Sequence, residues 1–167
     1  LRPALAEICQ EIRDLERRVK MIERQLAALA THTPAIAQLM TIPGVGLIIA
    51  TALVAFVGDI QRFPSARHFA SYLGLTPRES SSGLRRRLGA ISTRGDVYLR
   101  TLLIHGARSV LLAAKHRHPD RLRAWALAKQ TARGHNKAAT ALANKLARIV
   151  WAVWKHDRPF HSVPNAV

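Results

Sequence analysis

Residues 5–29 carry an apolar side chain at alternating spacings of three and four: Leu5, Ile8, Ile12, Leu15, Val19, Ile22, Leu26 and Leu29. A seven-residue repeat with two apolar positions confines the stretch to one long helix with a narrow greasy seam, the signature of a coiled coil. The alternative is a long helix lying on its own domain, but the narrow stripe and charged remainder favour another helix as partner. Pro3 suits a first helical turn and Thr31-His32-Thr33-Pro34 supplies a stop, which bounds the coiled-coil helix at residues 1–31. Dimerisation, or pairing with a helix from an upstream region, is therefore expected.

Pro34 to Met40 reads as a short helix that ends at Thr41-Ile42-Pro43-Gly44-Val45-Gly46, and Leu47 to Phe56 is apolar enough to be a buried helix. Two helices joined by a glycine hairpin resemble the helix-hairpin-helix motif. There the hairpin, here Pro43, Gly44, Val45 and Gly46, and the following helix N-terminus grip a phosphate through backbone N–H groups, which Pro43 itself lacks, without reading bases. A tight turn that simply lets two helices pack is the plainer alternative. Farther on, Ser65 caps a helix to Leu73, Asp96 one from Val97 to about Lys115, and Asp120 one to about Thr131. A final helix runs from Lys137 to about His156, so the chain is expected to be mainly all-α, with a compact domain over 34–157 and a tail at 158–167.

The 26 Lys and Arg residues outnumber the 10 Asp and Glu for a formal charge of +16, and all but +1 of it lies beyond residue 31. A polyanionic partner follows, and that part of the chain meets it. A spanning helix needs about 18 or more apolar residues in succession. The longest such run, Val45 to Val57, is shorter, so nucleic acid is favoured over lipid. Cys9 stands alone, which excludes a disulfide framework and suits a reducing cytosol. No signal peptide is visible, and a start at Leu1 reads as a fragment of a longer protein.

Between Pro77 and Asp96 lies Ser80-Ser81-Ser82-Gly83-Leu84-Arg85-Arg86-Arg87, an irregular loop or short hairpin in which hydroxyls meet guanidinium groups. A serine beside arginines can attack a phosphodiester itself, with the hydroxyl as nucleophile and Arg85, Arg86 and Arg87 holding the phosphate's charge. Arg94 and Arg100 can be brought back to the same place by the turn at Gly95. A solvated polar loop is the plainer reading of the same composition. Other chemistries fare worse. Beyond the coiled-coil segment the carboxylates are Asp59, Glu79, Asp96, Asp120 and Asp157, isolated from one another, where a two-metal site needs three or four together. The eight histidines make no helical His-x-x-x-His pair, and Gly44-Val45-Gly46 lacks the lysine and hydroxyl of a phosphate loop. No metal or cofactor is expected on this chain. A phosphoserine bond would conserve the energy of the cut strand for rejoining, so recombination rather than hydrolysis is its natural use.

Taken in order, Ile42-Pro43-Gly44-Val45-Gly46, Asp59-Ile60-Gln61-Arg62-Phe63, Tyr72-Leu73-Gly74-Leu75-Thr76-Pro77, Ser81-Ser82-Gly83, Leu88-Gly89, Arg94-Gly95-Asp96, Leu99-Arg100 and His105-Gly106-Ala107 form a specific set. Together they resemble the C-terminal domain of the insertion-sequence one-ten and eleven-eleven transposases, relatives of Piv-type DNA invertases, over about residues 34–157. The resemblance implies a transposase whose nucleophilic serine precedes a glycine, hence Ser82, with Ser81 and Ser80 as neighbours that could take its place. It also implies an upstream RuvC-like domain with an Asp-Glu-Asp-Asp site for divalent metal such as Mg, a coiled coil, DNA as substrate and a structured bridge RNA as guide. This chain lacks that domain, so strand exchange is expected only with it, in the bacterial cytoplasm at the nucleoid. A non-catalytic helix-hairpin-helix module and an inactive remnant are the competing readings.

Overall fold

The computed structural model describes residues 2–83, 85, 87–114 and 120–163 of the chain. The expected break at His116-Arg117-His118-Pro119, the end of the preceding helix at Lys115, and Leu84, Arg86 and residues 164–167 of the tail lie outside them. Among the described residues seven α-helices and one two-stranded sheet follow in the order α1 (Arg2–Thr31), α2 (Pro34–Leu39), α3 (Leu47–Val57), α4 (Ala66–Tyr72), β1 (Pro77–Glu79), β2 (Leu88–Ile91), α5 (Val97–Ala114), α6 (Arg121–Arg133) and α7 (His135–Lys155). The chain is mainly helical, as its periodicity requires.

Polar side chains set the starts of α4, α5 and α6. The Ser65 hydroxyl accepts the His68 N–H, Asp96 accepts the Leu99 N–H at 2.8 Å and Asp120 the Arg123 N–H at 2.7 Å, each satisfying a donor of a first turn that has no helical acceptor. The gap that the sequence leaves between about Thr131 and Lys137 is tighter in the structure. Only Gly134, at φ +81°, separates α6 from α7, and α7 begins at His135 rather than Lys137.

The core forms where α7 packs on α4, α5 and α6. Ala138, Ala139, Leu142, Ala143, Leu146, Ala147, Val150 and Val153 make one buried stripe of α7, and the alanines let its neighbours approach closely. Leu99, Leu103, Ala107, Val110 and Leu111 of α5 face the same core, as do Leu39, Ile42 and Leu53 from the first hairpin. By length and composition α5 could cross a membrane, yet here it is a core helix carrying Arg100, His105 and Arg108. The segment after α7 folds back. Phe160 donates its N–H to the Thr41 hydroxyl, and Arg121 donates its own to the Val163 carbonyl.

Helix α1 contributes little to that core. It touches α2 and α3 with its C-terminal end, where Leu26 and Ala30 are half-buried. The rest of its seam, from Leu5 to Ile22 and at Leu29, is at least 50% exposed. The domain does not cover the seam, so the long helix does not lie along its own domain by that face.

Candidate nucleic-acid interface and serine hairpin

The serine-arginine stretch is an antiparallel hairpin. Strands β1 and β2 pair Pro77 with Ile91 and Glu79 with Leu88, so β2 holds one extra residue and the ribbon is bulged there. The pairing continues outward as Ser80 donates to the Arg87 carbonyl, and Ser82 and Arg85 exchange both backbone hydrogen bonds. Gly83, at φ +55°, follows Ser82 into the turn, a left-handed conformation that glycine takes without a Cβ penalty. Ser82 is thus exposed beside the hairpin tip, and its hydroxyl makes no hydrogen bond among the described residues.

Ser81 is differently placed. Its hydroxyl donates to Glu79 Oε1 at 2.7 Å and accepts the Arg87 N–H at 3.2 Å. Residues 79 and 81 of an extended chain share a side, so their spacing carries a signal for this pair, but residue type alone does not pick the glutamate out. Arg85 and Arg87 are exposed on the returning arm, and Arg86 lies outside the described residues.

The base of the hairpin is locked into the domain. Thr93, at φ +55°, donates its N–H to the Gly74 carbonyl, and Ser92 to that of Thr76 at 2.7 Å. Gly95 runs so close to the end of α4 that a Cβ there would stand 2.1 Å from the Tyr72 carbonyl oxygen. Arg100, expected beside phosphate, is 8% exposed and serves this junction: Nη1 donates to the Leu73 carbonyl at 3.2 Å, with Gly95 O at 3.5 Å. Its guanidinium is held by the fold, through the Leu73 carbonyl that the end of α4 leaves without a helical donor and the Gly95 carbonyl ahead of α5. Arg94 remains exposed, lining a cavity of about 330 Å³ with Arg78, Glu79, Ser80 and Ser92.

The glycine hairpin is a second locus. Gly44, at φ +82°, lies against α5, where its imagined Cβ would meet the Gly106 carbonyl oxygen at 2.5 Å. The approach is mutual, for a Cβ on Gly106 would stand 2.2 Å from Gly44 O. Pro43 is half-buried and Val45 is in the core, while Gly46 is exposed as the cap of α3 with open space around it. The start of α3, Gly46 to Ile49, borders a groove of about 1090 Å³ together with Lys20 and Arg24 of α1, His105 and Ser109 of α5, and Arg123 of α6. Glu23 borders it too. The two loci line different cavities: Ser82, Arg85 and Arg87 do not border this groove, and Pro43 to Gly46 do not border the cavities of the serine hairpin.

Burial pushes the Asp120 carboxyl up, but the Arg123 N–H, the Ser162 hydroxyl and the Arg123 guanidinium outweigh it and hold the group below its ordinary value. Lys145 is shifted down, first by burial and then by the nearby charges of Arg121 and Arg148. The other carboxylates are engaged one at a time: Asp59 caps the turn Ile60–Arg62, Asp96 caps α5, and Asp157 accepts from Gln38. No group of three metal-ligating side chains gathers among the described residues.

A family model described as "Transposase IS116/IS110/IS902 family" matches residues 36–123. The chain is 45% identical over 153 residues to a probable family 20 transposase of Pseudomonas aeruginosa, covering 92% of this chain and 45% of that protein. It is 44% identical over 131 residues to the transposase for insertion sequence element IS1111A of Coxiella burnetii, covering 78% and 36%. A pilin gene-inverting protein of Moraxella lacunata is 30% identical over 147 residues, covering 85% and 45%. The chain therefore spans less than half the length of these curated relatives. The matched region holds the glycine hairpin, the serine hairpin and the buried Arg100 junction between them, and on it the chain belongs to the IS116/IS110/IS902 transposase family.

Proposed function

We propose that this chain is the serine-bearing part of a DNA transposase, in which the Ser82 hydroxyl attacks a DNA phosphodiester. The observation that supports it is how Ser82 is presented: at an exposed hairpin tip, its hydroxyl untied among the described residues, with Arg85 directly across the ladder and Arg87 beyond. In the step, the Ser82 Oγ–phosphorus bond forms as one strand P–O bond breaks. The serine proton leaves to solvent and the departing strand oxygen takes one up. Attack by a strand hydroxyl on the phosphoserine reverses the exchange and restores the serine, so no high-energy cofactor is consumed. Arg85 and Arg87 offset the charge on the phosphate oxygens.

The Glu79 contact favours a second assignment, Ser81, whose hydroxyl already donates to a carboxylate able to take its proton. Phosphates outside the reacting one are gripped by the N–H groups at the start of α3, as in a helix-hairpin-helix. The singly engaged carboxylates do not fit a divalent-metal centre, so no step here runs through one. Metal-dependent work and pairing with a guide RNA belong to the part of the transposase beyond these residues, in the bacterial cytoplasm. The exposed seam of α1 joins copies into an oligomer.

The test uses the full-length transposase and a DNA substrate with a strand break that traps covalent protein. The expected result is an adduct that Ser82→Ala abolishes while DNA binding persists. An adduct lost in Ser81→Ala but kept in Ser82→Ala would move the nucleophile to Ser81. Normal recombination by both variants overturns the serine assignment, and binding without any adduct from the unmodified protein leaves a non-catalytic binding module.

A further inference from the structure

The cations of α6 and α7 have no role in the hairpin chemistry, yet their arrangement is unusual. Arg121, Trp125 and Lys129 fall at i, i+4 and i+8 on α6 and so form one stripe. Across from it, Lys145 of α7 places Nζ 4.3 Å from the Trp125 ring centroid, and Lys129 Nζ approaches the same ring at 5.9 Å. Arg148 follows Lys145 one turn on. None of these four cations lies within ion-pair distance of a carboxylate among the described residues, where ion pairs join Arg17 to Asp14 and Arg123 to Asp120.

The cluster also has continuity. Arg121 and Lys145 line a cavity of about 230 Å³ with His161 and Ser162. Arg148 lines the next cavity, about 270 Å³, with Arg67 of α4, Asn144, and Pro77, Glu79 and Leu88 from the base of the serine hairpin. A line of positive charge thus runs from the hairpin, over α4 and α7, to α6. Partly buried Lys145 is repelled by Arg121 and Arg148, so its own charge opposes the folded state. A row of phosphates laid along the line would remove that cost.

We infer that Arg67, Arg148, Lys145 and Arg121 form a track for a nucleic-acid phosphate backbone, continuous with the serine hairpin and holding the flank of the strand that reaches it. Trp125 serves as a platform that orients Lys145 and Lys129 by cation–π contact. The inference rests on the proposed function only in taking nucleic acid as the partner. It does not need Ser82 to react.

The experiment measures binding of the 167-residue chain to a labelled DNA duplex of random sequence, a labelled RNA hairpin and phosphatidylglycerol vesicles, each across a salt series. Arg121 and Arg148 are both exposed, so the pair Arg121→Gln/Arg148→Gln leaves the core intact. That pair is expected to weaken nucleic-acid binding about ten-fold or more at low salt and to reduce the log–log salt slope by about two, one for each phosphate that the variant no longer neutralises. Lys145→Gln should weaken binding while melting at the same or a higher temperature, a combination that a merely structural lysine would not give. Arg13→Gln/Arg17→Gln on α1 should change nothing. Loss confined to DNA, loss confined to RNA and loss on both each support the track and identify its strand. Unchanged affinity and slope in the Arg121→Gln/Arg148→Gln chain overturn it, and so does binding to vesicles but to neither nucleic acid. Because Ser82→Ala should bind normally, failure of the serine assignment and failure of the track are read in separate assays.

Discussion

Gly44 and Gly46 stand two positions apart in one hairpin, and they serve different ends. At Gly44 the positive φ and the 2.5 Å approach to the Gly106 carbonyl both forbid a side chain, and that carbonyl is helix backbone that cannot swing away. Gly44→Ala is expected to cost about 3 kcal/mol or more, the sum of a strained left-handed backbone and overpacking. Gly46 has φ −91° and nothing near its imagined Cβ, so Gly46→Ala should cost about 1 kcal/mol or less, the loss of a favourable helix cap. Chemical denaturation of the two variants checks the contrast, and equal losses would show that the hairpin does not depend on the Gly44–Gly106 approach. The sequence alone cannot rank these glycines, because the distinguishing approach comes from Gly106, 62 residues farther along. Arg100 shows the same limit in the other direction. As a letter it is one more cation beside Arg94, and only the fold reveals that it faces the carbonyl of Leu73.

Helix α6 starts at Asp120, whose carboxylate caps Arg123, accepts the Arg123 guanidinium at 2.5 Å and takes the Ser162 hydroxyl at 2.7 Å. It ties the helix start to the segment that folds back after α7. Since its folded value is depressed, its contribution is present above the unfolded value near 4 and is lost as pH falls through the folded one. Asp120→Ala should therefore destabilise the chain by about 1–2 kcal/mol at neutral pH, the range for a lost cap. That gap should close on acidification below about pH 4. Thermal melts of both chains across that range decide it, and a gap independent of pH would mean that packing, not charge, is lost. The caps at Ser65, Asp96 and Asp120 are all legible in the sequence, since each needs only a short polar side chain ahead of a periodic apolar run. The hairpin is less so. The stretch allows a loop or a short hairpin, and the choice rests on a bulge and on backbone bonds between Ser82 and Arg85, neither of which residue type marks. Glu79 escapes a sequence reading for a related reason, and the cations of α6 and α7 are visible there only as an excess of basic residues of which some should face phosphate, since charged residues on helices and strands look alike until tertiary packing sets them against a hydroxyl, a ring or each other.

At the scale of the whole domain, α1 has two distinct faces. Lys20, Glu23, Arg24 and Ala27 border the groove at the glycine hairpin, while Ile12, Leu15, Val19 and Ile22 point elsewhere and are about half exposed. If the seam joins copies and the groove takes phosphate, as proposed, the two tasks fall on separate faces of α1. If the seam pairs two copies, a lysine at a central apolar position should split them, because a charge buried between two helices has no compensating partner. Ile12→Lys/Ile22→Lys is expected to halve the molecular mass seen by light scattering without lowering the melting temperature of the domain, whose core does not include these residues. The affinity of the split form for a duplex long enough for one copy should match that of the unmodified chain. On a longer duplex it should fall by about a hundred-fold, the usual order of gain when two linked sites engage together. Both measurements use the same protein and differ only in DNA length, which separates avidity from damage to the binding surface. An unchanged mass would refute pairing through the seam, and equal losses on short and long duplexes would place the phosphate-binding groups on α1 itself.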